Sequence, residues 1–352
     1  MLQLIRRINE GVSIMKIILI ILAVIIIIVC ASIFLAYRMY STVFGKRCDG
    51  DEKLKYFTHK DFEGLKAAPI EFPNKDGVML RGAIYAKSGV QQPKGLIVFS
   101  HGMGGGHLSY MTEINTFAEN EFAVLAYDNT GTFSSDGEKI GSFCQGPEDL
   151  KAALKFANEH PTLSKMKTVL AGHSWGGYSV CRALGDENVK VDGAVTFGAP
   201  NSGYQVISAA LGEKLSFLTP VFKLFFRMFE GKDALIMCRD SVASAEPTPI
   251  LMLQGENDAI VKPEISAALA SEGLPHVKSV LFDGRYHNVY QTIESEEYMN
   301  ATFARLNALK KNKKASEKEL SACYNNIDYE LITREDPSVM NLVIRFIDNC
   351  TK

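Results

Sequence analysis

Short apolar runs recur from Ile70 to Phe282, and the stretches between them carry helical spacing. Ile70 to Phe72 and Val78 to Ala86 read as two strands, with Asn74-Lys75-Asp76-Gly77 as the turn between them. Gly95 to Ser100, Phe122 to Tyr127, Thr168 to Gly172, Gly193 to Phe197, Ile250 to Leu253 and Val277 to Phe282 read as further strands. Gly95 to Ser100 is a short apolar run, the mark of a buried strand, and Phe122 to Tyr127 is another. Helical stretches are expected at Tyr110 to Asn120, Pro147 to His160, Tyr178 to Leu184 and Ser338 to Asp348. Proline opens or precedes two of them, at Pro147 and Pro337. Strands that alternate with helices predict an α/β fold with a mostly parallel sheet covered on both faces. In such sheets, sites form at the carboxyl ends of strands.

Before the first strand lies a different kind of segment. Ile17 to Tyr37 is an apolar run of 21 residues without a charge, closed by Lys16 and Arg38. A helix of that length rises about 30 Å, enough to cross a hydrocarbon core. A cleaved signal peptide is the rival, but its apolar region is shorter and ends at a small-x-small site, which Phe34-Leu35-Ala36-Tyr37 does not supply. The expected organisation is a tail over 1–16, a single transmembrane anchor over 17–37, a linker over 38–66 and one catalytic-sized domain over 67–352. Basic residues flank the run on both sides, with Arg6, Arg7 and Lys16 before it and Arg38, Lys46, Arg47, Lys53 and Lys55 after it. They give no vote for an exported domain and weigh slightly against one. The short preceding tail, common in signal anchors, points to an extracytoplasmic one. Met15 is a plausible alternative start.

The net charge of −2 leaves no electrostatic footprint for nucleic acid. The basic run from Lys310 to Lys318 reads as a solvated face. Seven cysteines are present with no C-x-x-C pair and no cysteine–histidine cluster at zinc spacing, so no metal site is expected; the thiols read as free, or as disulfides only if the domain lies outside the cytoplasm.

The chemistry gathers where strands end. Gly172-His173-Ser174-Trp175-Gly176 follows the strand Thr168 to Gly172 and precedes a helix. That is the strand–turn–helix setting a nucleophile elbow requires, with glycines where side chains would collide with neighbours. A serine hydroxyl needs a histidine to accept its proton and a carboxylate to orient that histidine. Asp258 stands just past the strand Ile250 to Leu253, with Glu256 and Asp283 as competing acids; His287 stands past the strand Val277 to Phe282. Ser174, Asp258 and His287 follow the chain order such a fold demands. His101 and His107 precede the serine, and His173 sits on the elbow itself. Ser100-His101-Gly102-Met103-Gly104-Gly105-Gly106 follows another strand and offers a flexible turn for an oxyanion.

These motifs resemble the α/β-hydrolase superfamily, and within it the monoacylglycerol lipase, lysophospholipase and serine aminopeptidase group. The carrying residues are His101-Gly102, the pentapeptide around Ser174, Gly255-x-x-Asp258 and His287. Asp128 to Ser134 resembles the group's D-x-R-G-x-G-x-S loop, with Thr130 and Phe133 in place of the arginine and second glycine. The resemblance implies an eight-stranded sheet, oxyanion N–H groups from Met103 and Trp175, and an acyl-enzyme formed without metal or organic cofactor.

Two insertions remain. One, at about 201–247, is expected to be a helical cap. In it Thr219-Pro220 reads as an N-cap followed by proline, and Gly231 as the helix end. Lys223, Arg227 and Glu230 share one face of that helix and apolar residues cover the rest, so it either packs on the core or meets an acyl chain or membrane. The other, at about 298–329, is helical and charged, with no assigned role. The expected activity is hydrolysis of carboxylic esters, small-molecule or lipid-like. A peptidase or amidase using the same triad, and a silent membrane-anchored binding module, are the alternatives.

Overall fold

The computed structural model describes residues 1–352 apart from 211 and 313. It contains an eight-stranded sheet: β1 (Leu65–Pro73), β2 (Met79–Lys87), β3 (Leu96–Ser100), β4 (Ala123–Tyr127), β5 (Thr168–His173), β6 (Gly193–Phe197), β7 (Ile250–Gly255) and β8 (Val277–Phe282). The spatial order is β1-β2-β4-β3-β5-β6-β7-β8. β2 pairs antiparallel with β1 and β4, and every pairing from β4 to β8 is parallel. The helices are α1 (Leu2–Phe44), α2 (Met111–Glu119), α3 (Gln145–Glu159), α4 (Trp175–Leu184), α5 (Gly203–Ala210), α6 (Thr219–Phe229), α7 (Cys238–Ala243), α8 (Ala267–Ala270), α9 (Ile293–Lys311), α10 (Glu317–Asn325), α11 (Tyr329–Ile332) and α12 (Pro337–Thr351).

The central strands are apolar throughout because their alternate residues feed two cores. Leu96, Val98, Leu125 and Leu170 point toward α3, α4 and α6. Ile97, Phe99, Val124 and Val169 point the other way, toward α2 and α12. A third small core unites Leu306, Cys323, Tyr324, Ile327 and Ile332 of the segment after β8, with Leu54 of the lead-in packed against it.

α1 extends past the expected end of the apolar run, from Tyr37 to Phe44. Its stretch from Ile14 to Phe44 is long and apolar enough to cross a membrane. Most of that stretch stands clear of the domain, but Ser32, Ala36, Tyr40 and Phe44 form a buried stripe. Their four-residue spacing puts them on one helix face. That stripe packs on α6: Tyr37 lies 5.8 Å from Phe229, and Tyr40 lies 5.5 Å from Phe225 and 5.8 Å from Phe226 between ring centroids.

α6 corrects two expectations. Its N-cap is Leu218, without a side-chain cap, so Thr219 is the first helical residue; the Thr219 hydroxyl instead meets Ser208 Oγ at 2.6 Å. Glu230 does not belong to a polar stripe with Lys223 and Arg227. Its carboxylate turns inward and accepts from the Tyr40 hydroxyl and from the Phe143 and Cys144 N–H groups. Gly231 follows with φ +88 and ψ −178, an extended positive-φ backbone that is nearly exclusive to glycine, rather than the left-handed helix cap. Within the basic run after β8, Lys310 pairs with Asp51 at 2.7 Å, while Lys313 lies outside the described residues. All seven cysteines are free.

Candidate active site

Ser174 stands between β5 and α4 with φ +54 and ψ −116. Such a backbone is strained for a residue with a side chain and persists only where its surroundings enforce it. The enforcement is visible. The Ser174 N–H donates to the Phe197 carbonyl at 2.7 Å, and the Ser174 carbonyl accepts from the Tyr178 N–H at 2.9 Å. The flanking glycines are required by contact: a Cβ on Gly172 would lie 2.4 Å from the Gly176 carbonyl oxygen, and one on Gly176 would lie 1.9 Å from the Ser100 carbonyl oxygen.

Asp258 lies past β7 and is 2% exposed. Its Oδ1 accepts from the Ile260 and Val261 N–H groups at 2.9 and 2.8 Å. Its Oδ2 accepts from Gln254 Nε2 at 3.1 Å and from His287 Nδ1 at 2.7 Å. Because an ionised carboxylate only accepts, the proton of this pair sits on Nδ1, and His287 Nε2 is left as an acceptor. The two competing acids do not reach the histidine: Glu256 and Asp283 are exposed and face each other, which raises the Glu256 carboxyl above its ordinary range.

The elbow and the histidine loop meet at β6. Ser174 is bonded to Phe197, and the next residue, Gly198, adopts φ +56 with His287 against it: a Cβ there would lie 3.2 Å from His287 Nδ1. His173 reinforces the junction, its ring centroid 4.7 Å from that of His287. Its Nε2 faces the His287 carbonyl at 3.3 Å, and its Nδ1 faces the Tyr110 hydroxyl at 2.9 Å. That hydroxyl in turn accepts from the Gly102 N–H at 3.0 Å. A carbonyl can only accept, so Nε2 carries the proton and the Tyr110 hydroxyl donates to Nδ1. Burial and the neighbouring His287 hold His173 well below its ordinary pKa, which keeps this chain neutral. His173 thus ties the glycine turn after β3 to the histidine loop.

The glycine turn is fixed from its other side. The His107 N–H and Nδ1 both meet Asp128 Oδ1, at 2.7 and 2.8 Å, and Asp128 Oδ2 accepts from the Ser134 N–H and hydroxyl at 3.0 and 2.6 Å. His101 is buried; its Nε2 accepts from the Asn129 N–H at 3.0 Å. Phe133, standing where the resemblance would place glycine, adopts φ +39. Space for its ring comes from Gly106 and Gly50, where added Cβ atoms would come within 3 Å of it: 2.6 Å at Gly106 and 2.7 Å at Gly50. Met103 sits within the turn, and Trp175 opens α4 with its indole Nε1 bonded to the Phe143 carbonyl at 2.8 Å.

Three contributors escape sequence reading. Gly198 gives no signal beyond its place after a strand. His173 is visible but is set aside as part of the elbow. Glu296, 3% exposed on the first turn of α9, accepts from the Asn288 N–H at 2.8 Å and so supports the residue after His287. Burial raises its carboxyl above the ordinary range.

Known proteins share this arrangement of elements. Residues 91–230 match the family model described as serine aminopeptidase, S33. The polyketide transferase af380 of Aspergillus fumigatus is 30% identical over 119 residues, covering 33% of this chain and 40% of that protein. The uncharacterised protein YfhR of Escherichia coli K12 is 21% identical over 235 residues, covering 66% of this chain and 78% of YfhR. The solved esterase Pf2001 of Pyrococcus furiosus superposes with a TM-score of 0.54 at 20% identity, over 75% of this chain and 98% of that one. The α/β-hydrolase GrgF of Penicillium sp. sh18 superposes with a TM-score of 0.50 at 18% identity, over 68% of this chain and 97% of that one.

Proposed function

We propose that this chain, which has an α/β-hydrolase fold, is a serine hydrolase of carboxylic esters, lipid-like esters among them. The observation that carries the reading is the Asp258–His287 bond of 2.7 Å beside a serine held at φ +54.

In this reading His287 Nε2 takes the Ser174 proton as Oγ attacks the ester carbonyl. Asp258, held by two backbone N–H groups and Gln254, keeps His287 in the tautomer that can accept it and stabilises the imidazolium that forms. Charge develops on the carbonyl oxygen, and the N–H groups of Met103 and Trp175 receive it. Trp175 suits the role because the first N–H groups of a helix have no partner within the helix. His287 then gives its proton to the leaving alcohol, and water releases the acyl group from Ser174 by the same steps in reverse. The turn carrying Met103 is held in register with the base by the Gly102–Tyr110–His173–His287 chain.

A serine peptidase or amidase acting through the same residues is the second reading, favoured by the serine aminopeptidase family that residues 91–230 match. We place the enzyme at a membrane, held through residues 17–37 of α1, with a tail over 1–16 before the span and the catalytic domain over 67–352 beyond it.

A fluorophosphonate probe tests the proposal. Labelling of the folded full chain that disappears in Ser174→Ala supports it, and absence of Ser174-dependent labelling overturns it. Hydrolysis of nitrophenyl esters against aminoacyl nitroanilides then separates the two readings.

A further inference from the structure

A cavity of about 540 Å³ opens beside the loops that carry Met103 and His287, with no residue of α6 in its lining. Its inner wall includes Gly104 and Gly105 of the glycine turn and Asn288 of the histidine loop. Each wall is one residue along the chain from a group with a proposed role: Gly104 follows Met103, and Asn288 follows His287. The cavity therefore adjoins the two loops that carry Met103 and His287, consecutive Cα atoms being about 3.8 Å apart. Gly104 has φ +86, and a Cβ there would meet nothing within 4 Å, so the turn faces open space.

The outer wall is mostly apolar in area, with polar residues such as Lys55 and Thr333 among its lining. Leu54 and Phe57 come from the lead-in before β1, and Met299, Phe303 and Ile327 from the segment of α9 to α11. The Lys310–Asp51 ion pair also lines the cavity, with side chains 45% and 26% exposed. Pockets of a few hundred Å³ with apolar walls and few polar groups are the kind that bury small organic ligands. The inward side of α6 offers no comparable space. Phe222, Phe225 and Phe226 are at most 1% exposed and are packed in the core.

We propose that this cavity receives the apolar chain of a long-chain ester, so that chain-length preference resides in the lead-in and the α9–α11 segment rather than in α6. The proposal rests on the serine-hydrolase reading. It also accounts for the segment after the histidine loop, which completes a wall that the sheet and its helices leave open.

The test uses the full chain in lipid nanodiscs and two substrate series. Nitrophenyl butyrate and laurate place the chain on the acyl side; ethyl and dodecyl acetate place it on the alcohol side. Each extra methylene seated in an apolar pocket changes kcat/KM by about tenfold or more. The wild type is expected to prefer the long member of one series. Phe303→Trp and Met299→Trp fill the cavity and lower that long-to-short ratio by about tenfold or more, whereas Met228→Trp on the exposed face of α6 leaves it in place. Phe303→Ala, which enlarges the cavity, moves the optimum in the same series toward palmitate or hexadecyl acetate. Fluorophosphonate labelling of Ser174 accompanies every variant. Intact labelling with ratios that move in neither series overturns the cavity assignment alone. Loss of labelling in the folded wild type overturns the serine-hydrolase reading and this assignment with it.

Discussion

The Tyr40 hydroxyl, near the end of α1, donates to the carboxylate of Glu230 just past the end of α6. The same carboxylate accepts the Phe143 N–H at 3.0 Å and the Cys144 N–H at 3.2 Å, at the entrance to α3. Phe44, one turn beyond Tyr40, lies edge-on to Trp175 with ring centroids 6.4 Å apart. The N-terminal helix, α6, the start of α3 and the residue after the candidate nucleophile therefore form one packed cluster.

Removing the tether should cost stability in a graded way. Tyr40→Phe deletes one donor and is expected to cost about 1 kcal/mol. Glu230→Ala strands several donors at once and should cost about 1–3 kcal/mol more than an exposed control such as Arg227→Ala. Thermal unfolding followed by the fluorescence of Trp175, the chain's one tryptophan, measures both. Equal effects from Glu230→Ala and Arg227→Ala would refute the tether.

Asp258→Asn keeps the shape of the side chain but offers His287 the wrong partner. Hydrolysis of a nitrophenyl ester is expected to fall about 10⁴-fold in kcat. Glu256→Gln and Asp283→Asn, on exposed residues away from the histidine, should leave kcat within about twofold. A large loss in either of those would reassign the acid.

Gly176→Ala should prevent normal folding rather than slow a reaction. The added methyl would lie 1.9 Å from the Ser100 carbonyl oxygen, a backbone atom that cannot step aside. A cost of about 3 kcal/mol or more is expected from overpacking on this scale. A melting temperature equal to wild type would contradict the close approach.

Stability should also depend on pH through a pair of carboxyls under α2. Burial pushes Glu335 up to about 7, with Glu119 adding repulsion and the Thr116 hydroxyl opposing. Glu113 is raised by burial and by Glu335. In the unfolded chain both titrate near pH 4.3. Folded carboxyls that hold their protons longer than unfolded ones make stability fall as pH rises, from the unfolded pKa up through the folded one. Urea unfolding should therefore show stability declining from about pH 4.5 to about pH 7. Glu335→Gln should flatten that decline. A stability that rises across this window in the wild type but not in the variant would reverse the assignment.

Much of the fold is legible in the sequence because burial on both faces leaves a plain mark. Gly193–Phe197, buried along its whole length, stands where its apolar run predicts it, whereas the edge strand Val277–Phe282 is only partly buried. The elbow is legible for a steric reason, since Gly172 and Gly176 are needed by contacts made within a few residues and with the adjacent strand. What stays hidden depends on partners far apart in the chain. The stripe Ser32, Ala36, Tyr40 and Phe44 cannot be told from its surroundings in a helix that is apolar on nearly every side. Glu230 looks like one more exposed charge until Tyr40, distant in sequence, is placed beside it. Glu296 and the cavity walls likewise arise only when the segment after β8 folds back over the histidine loop.

The buried stripe on α1 has a consequence for depth. Ser32 to Tyr37 belong both to the apolar run and to the surface that holds α6, and at 1.5 Å per residue they account for about 9 Å of its length. With α1 upright in a bilayer, α6 is drawn down to the boundary between headgroups and acyl chains, the level at which amphipathic helices rest. Its outward residues suit that level: Leu224, Met228 and Phe229 are 44%, 61% and 53% exposed. On the proposal that α1 spans a bilayer, the helix acts as a depth gauge as well as a tether, setting α6 at the level an amphiphile leaving the leaflet would reach first.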